Sequence, residues 1–175
     1  MLLWFRTPAF KGFSIILAEM PPVAGGKGWT HMNDKLVEYE KKQNEIFNEN
    51  ETHLMNFAKS LENKGLSQKT IKTHAANVEF YINDYLGCDL LDVTQGCYKI
   101  DSFLGDWFIR KAAWSSCAHI KSSAASIKKF YAFLCEENVI EQEFYDGLCR
   151  TIKECMQDWL DEMTSYEDMM YKDCF

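Results

Sequence analysis

The chain has 175 residues, with 19 Lys plus Arg against 26 Asp plus Glu, a net charge of −7 and 47% hydrophobic residues. That balance excludes a disordered chain, and at roughly 100 to 200 residues per domain the length argues against a two-domain enzyme and for one domain with tails. No apolar run reaches the ~18 residues that a membrane span needs, so no membrane partner is expected.

Pro8, Pro21 and Pro22 are the three prolines. Everything from Met32 onward is free of this helix breaker, which predicts a helical body. The seven cysteines include no C-x-x-C pair and an odd member, the pattern of reduced thiols in a cytoplasmic protein. Residues 12–18, behind Lys11 and ahead of Pro21, mimic a secretory signal; the plainer alternative is an over-long start, with Met32 opening the chain proper. Residues 1–31 are expected to be a tail, disordered or misassigned, within an N-terminal region 1–47. Charge is uneven: +2 over residues 1–31, −3 over 32–51, +1 over 52–140 and −7 over 141–175.

In chain order, Leu54, Phe57, Ala58 and Leu61 recur at helical spacing and predict a first helix over residues 48–63, stopped by Gly65 as a left-handed cap. Ser67 is placed to cap a second helix. There Ile71, Ala75, Val78, Ile82 and Tyr85 recur at i, i+4, i+7, i+11 and i+14, and Gly87 ends the pattern. Residues 89–96 read as a connection, with Thr94 capping a third helix that buries Ile100, Phe103, Leu104, Trp107 and Phe108. Ser115 or Ser116 caps a fourth helix carrying Ile120, Ala124, Ile127, Tyr131 and Leu134 at the same spacing. A polar break at residues 136–138 precedes a fifth helix over 141–163, with Phe144, Leu148, Ile152, Cys155, Trp159 and Met163 on one face and an acidic opposite face. Met169 and Met170 are expected to fray. The prediction is an all-α, compact bundle of four to five helices.

The second helix carries Lys69, Thr70, Lys72, Thr73, His74 and Asn77 outside its apolar stripe. The fourth carries Ser115, Ser116, His119, Lys121, Ser122, Ser123, Lys128 and Lys129. By composition these are ordinary solvated faces. Their chemistry nevertheless suits phosphates and base edges, since lysine neutralises backbone charge while Thr, Ser and Asn hydrogen-bond to either. The partly positive N-termini at the serine caps suit phosphate as well.

The order of residues adds to this. The stretch 57–71, Phe-Ala-Lys-Ser-Leu-Glu-Asn-Lys-Gly-Leu-Ser-Gln-Lys-Thr-Ile, continuing to Val78 and Ile82, resembles the opening of the core-binding, or SAM-like N-terminal, domain of phage integrases and related tyrosine recombinases. Residues 116–134, with Ile127-Lys128-Lys129-Phe130-Tyr131 and a terminal Leu134, resemble a later segment of that domain. The resemblance covers residues 48–140 and leaves 141–175 as an acidic C-terminal helix and tail. It implies a SAM-like fold that clamps double-stranded DNA with helices two and four in the major groove. The implied DNA-binding positions are Ser67, Lys69, Thr70, Lys72, Thr73, His74, Asn77, Ser116, Lys121, Ser122, Ser123, Lys128 and Lys129, with Phe130 and Tyr131 as core aromatics. Two features depart from the family pattern: Ser122 and Ser123 stand where arginines are usual, and no Asn-Pro linker leads on to a catalytic domain.

Strand exchange in that family needs several arginines, a His-x-x-Arg pair and a tyrosine nucleophile around the phosphate. This chain has Arg6, Arg110 and Arg150, and none follows His31, His53, His74 or His119 at that spacing. No phosphate loop, zinc spacing or nucleophile elbow is present. The chain is therefore expected to be non-catalytic and to need no cofactor or metal. Its expected partners are duplex DNA, a separate recombinase catalytic subunit, or a second copy reached through the C-terminal helix. The alternative is a helical protein-interaction module that keeps the fold without DNA binding. The acidic fifth helix is open to two roles, self-association or masking of the basic face.

Overall fold

A computed structural model describes the backbone of residues 27–172 and the side chains of residues 34–170. The apolar stretch 12–18 and most of the expected 1–31 tail lie outside the described residues. Five helical stretches make up the described chain, with no strand among the described residues, so the protein is all-α as expected. They are α1 (Lys27–Asn63), α2 (Gln68–Glu79), α3 (Ile100–Ser102, continuing through Phe103–Trp107 and Phe108–Lys111), α4 (Cys117–Glu136) and α5 (Gln142–Lys172). The chain divides into two units, Met1–Lys42 and Gln43–Phe175. In the first, the described residues are helical, and between 34 and 42 only Leu36 and Glu40 are even half-buried. The second contains the core described below.

Helix α1 begins well before the predicted residue 48. Residues 27–47 hold no proline, place Glu38 four residues ahead of Lys42, an arrangement that supports an exposed helix, and repeat Trp29, Met32, Leu36, Tyr39 and Ile46 at helical spacing, a stripe that the expected start at residue 48 leaves out. Burial begins at Asn50 and continues through Leu54, Phe57 and Leu61. Gly65 ends the helix at φ +78°. The Leu66 amide then donates to the Leu61 carbonyl and the Gly65 amide to Glu62, a paired closure that needs the left-handed residue expected here.

Ser67 Oγ accepts from the Thr70 amide and starts α2, which buries Ile71, Ala75 and Val78. From Phe80 to Tyr85 the helix widens into a π turn, with Tyr81 and Ile82 buried. Asn50, 2% exposed, reaches this segment from α1, its Nδ2 donating to the Ile82 carbonyl at 3.3 Å and to Asn83 Oδ1 at 2.9 Å. A second π turn, Phe103–Trp107, lies inside α3. The two meet through aromatic rings: the Phe103 centroid is 4.7 Å from Tyr81 and 5.0 Å from Tyr85.

Two turn assignments differ from expectation. The left-handed residue after α2 is Leu90 (φ 53°), not Gly87, which lies buried inside the short helix Leu86–Asp89. The turn before α3 is organised by Asp92, whose Oδ1 accepts from the amides of Thr94 and Gln95, while Thr94 itself caps nothing. An aspartate bonding to backbone two and three residues ahead is the stronger local signal. Tyr81 Oη donates to the Gly96 carbonyl and Tyr131 Oη to Val93, tying this connection to the core.

Ser116, of the two candidates, caps α4, and all five predicted stripe residues are buried there. In α5 the predicted face is turned inward, with Leu148, Trp159 and Met163 buried and Phe144, Ile152 and Cys155 half-buried against them. The helix runs past residue 163 to Lys172, with Met169 and Met170 exposed on it. Gly105 leaves room for Trp159, whose ring would lie 2.8 Å from a Cβ there and whose Nε1 donates to Asp101 Oδ1 at 2.7 Å. Helix α5 thus shares one core with α3 and α4 and is no detachable tail.

Asn50→Ala removes both bonds that α1 makes to the π turn. A loss of about 1–3 kcal/mol in unfolding free energy is expected, measured by urea denaturation followed by circular dichroism; an unchanged midpoint would contradict this role.

Candidate nucleic-acid interface

Helices α2 and α4 lie side by side, and polar side chains fix how they do so. Asn77 Nδ2 donates to Ser122 Oγ at 3.1 Å and to Ser126 Oγ at 2.9 Å. His74 Nδ1 lies 2.8 Å from Ser126 Oγ, and Ser126 Oγ donates to the Ser122 carbonyl at 2.8 Å. With the Ser126 proton committed to that carbonyl, its oxygen accepts from Asn77 and from His74, so the neutral imidazole carries its proton on Nδ1. Ser126 is fully buried, and a buried hydroxyl without such partners is costly. It was not among the sequence candidates. The signal was present in the spacing: Ser122 and Ser126 stand at i, i+4 and face a His-Asn pair at i, i+3.

This network corrects part of the predicted interface. Ser123 is 3% exposed and cannot reach a groove. His74, Asn77 and Ser122 are half-buried and are bonded across the helix pair through His74 Nδ1, Asn77 Nδ2 and Ser122 Oγ. Serine, asparagine and histidine satisfy a buried contact as readily as a solvated one, which is why composition placed them outside.

The remaining positions are exposed or capping. Ser67 and Thr70 bond to each other at 2.8 Å, and Thr73 Oγ1 donates to the Lys69 carbonyl. Ser116 Oγ accepts from the His119 amide and pairs with His119 Nδ1. Lys69, Lys72, Lys121, Lys128 and Lys129 are all exposed. Among the described residues, Lys69, Lys121, Lys128 and Lys129 form no ion pair.

The pairing of His74 with Ser126 and of Asn77 with Ser122 makes the two helices antiparallel. Their serine-capped N-termini therefore sit at opposite ends of the pair, separated by roughly 25 Å at 1.5 Å rise per residue, and cannot hold one phosphate together. At the Ser67 end, Lys69 and Thr73 share a row with Asn77 on α2, and Lys129 shares one with Ser122 on α4. The charge of Lys129 acts on His74, which confirms their proximity. Lys72 and the Lys121–Lys128 row lie on the outer shoulders of the pair.

Helix α5 runs antiparallel to α4 as well. Cys135 bonds to Gln142 near one end, while Cys117 bonds to the Leu160 carbonyl near the other. The acidic stretch of Asp158, Asp161, Glu162 and Asp168 is thereby carried to the Ser116 end, away from Lys69, Lys128 and Lys129. There Arg110 is held by Asp106 and, at 2.8 Å, by Glu162. Among the described residues no group of His, Cys, Asp and Glu is placed to hold a metal ion. Comparison of the chain with known protein families, curated proteins and solved structures finds no match.

Burial, and then the nearby Lys129 ammonium, hold the His74 pKa below its ordinary value of 6.5. The unfolded chain therefore binds this proton more readily than the folded one, and the stability present above pH 6.5 is lost as pH falls below it. Between about pH 7 and pH 5, the urea midpoint of the wild type should fall more steeply than that of His74→Gln. Burial also lowers His53, so a residual slope remains in the variant; identical slopes would remove His74 from the account.

Proposed function

We propose that this chain is a non-catalytic duplex-DNA-binding module of the core-binding type that grips phosphates through α2 and α4. The observation that carries this reading is that Lys69, Lys121, Lys128 and Lys129 are exposed and form no ion pair among the described residues, on two helices locked edge to edge, with the acidic second half of α5 directed elsewhere. The contacts are Lys69, Lys128 and Lys129 at the Ser67 end, with Thr73 between them, Lys72 and Lys121 on the shoulders, and the exposed hydroxyls of Ser67 and Thr70. Because Asn77, His74, Ser122 and Ser123 are withdrawn into the helix pair, base readout is weak and affinity is largely electrostatic. A separate catalytic subunit would supply the arginines and nucleophile absent here.

Mobility shift with a nonspecific duplex at about 50 mM and about 200 mM salt tests the assignment. Each of Lys69→Ala, Lys128→Ala and Lys129→Ala should weaken binding similarly for unrelated sequences and reduce the salt slope by about one. An affinity and slope unchanged in the triple variant would overturn it. A protein-interaction module is the second reading, favoured by an apolar groove beside the same lysines; absence of any shift at low salt would select it.

A further inference from the structure

The groove lies between the end of α1, the outer face of α4 and the start of α5, and encloses about 420 Å³. Phe57, Leu61 and Phe133 form its walls, and Lys64, Lys128 and Lys129 stand around it, with no carboxylate in the lining. Phe57 is fully buried and Phe133 is 5% exposed, so the floor is rigid core and not a loose surface patch. Lys64 is bonded to Glu136 at 2.8 Å, while Lys128 and Lys129 form no ion pair among the described residues. An apolar recess of side-chain size ringed by ammonium groups has two requirements, a bulky hydrophobic group within and negative charge at the mouth.

We propose that this groove docks an acidic peptide segment of a partner protein, seating one large apolar side chain against the part-exposed Leu66, Ala132 and Tyr145 above the Phe57 and Phe133 floor while its flanking carboxylates meet Lys128 and Lys129. A protein of net charge −7 repels acidic peptides in general, which makes the two ammonium groups of Lys128 and Lys129 beside an apolar recess a selective exception. A DNA duplex offers the charge but leaves the recess unfilled, because its bases are stacked inside and only sugar and phosphate face a protein groove of this kind. The inference does not rest on the duplex-binding reading.

The test uses the full chain and a fluorescein-labelled peptide in which one tryptophan is flanked on both sides by glutamates, followed by anisotropy. Saturable binding is expected that weakens between about 50 mM and about 200 mM salt, drops at least tenfold when the tryptophan becomes alanine, and vanishes when the glutamates become lysines. Ala132→Phe, which fills the groove without removing charge, should reduce peptide affinity at least tenfold while leaving the duplex mobility shift intact. Ala125→Phe, at an exposed position on the same lining, provides a second blocking variant should Ala132→Phe unfold. No binding at low salt, or binding indifferent to both blocking variants when folded, overturns the proposal. Loss of duplex binding in both variants assigns the groove to nucleic acid instead. A dimer that either variant converts to monomer assigns it to a second copy, and either result overturns the peptide assignment.

Discussion

The fold depends on α4 being packed on nearly all sides by neighbours that must approach it closely. Nine of its residues, from Ile120 to Leu134, are buried, and the side toward α2 is built from serines where a leucine would hold the helices apart. Small residues permit the approach, but their hydroxyls then leave water and need partners, since an unpaired buried polar group costs more than a bond returns. Asn77 and His74 meet that need, and no buried side-chain polar atom among the described residues is left without a partner. One hydroxyl, that of Ser126, thereby sets the register and direction of α2, and with them the placement of every lysine on either helix.

Where sequence signals were local, they were readable. A serine before an apolar stripe and a glycine after one depend on backbone chemistry within a single turn, and Ser67, Ser116 and Gly65 take the positions those rules assign. The stripe from Ile120 to Leu134 is read equally directly, because one face of a helix meets one core. The first part of α1 carries Trp29, Met32, Leu36, Tyr39 and Ile46 at helical spacing, a signal present in the sequence that the stronger stripe from Leu54 to Leu61 overshadowed. The π turns at Phe80–Tyr85 and Phe103–Trp107 escaped for another reason: a widened turn adds one residue to the backbone path, and with Phe80, Tyr81, Ile82 and Tyr85 in one and Phe103, Leu104 and Trp107 in the other, both spacings keep apolar side chains on the inner face.

The candidate site shows the same division. That α2 and α4 are neighbours is an expectation drawn from the resemblance, while the exposure of their lysines followed from their stripes. Which polar residues face solvent did not, because Ser123 and Ser126 differ from Lys128 and Lys129 in a tertiary contact, not in local pattern. Direction was equally hidden. Antiparallel packing separates the two capped ends, so two helix dipoles cannot act together on one anion.

The same packing sorts charge along the bundle. Because α5 returns along α4, the carboxylates of its second half lie toward the Ser116 end while Glu143 and Asp146 stay at its start, and Glu162 joins Asp106 in holding Arg110, the one arginine of α3. Arginine is the side chain whose planar fork reads phosphate and guanine bidentately. With Arg110 bound to Asp106 and Glu162, the cations that α2 and α4 themselves carry are all lysines, point charges on flexible stems. Such groups recognise the presence of negative charge and little of its arrangement. Selectivity must then come from whatever shape lies beside them, and the surface next to Lys128 and Lys129 is the apolar recess floored by Phe57 and Phe133.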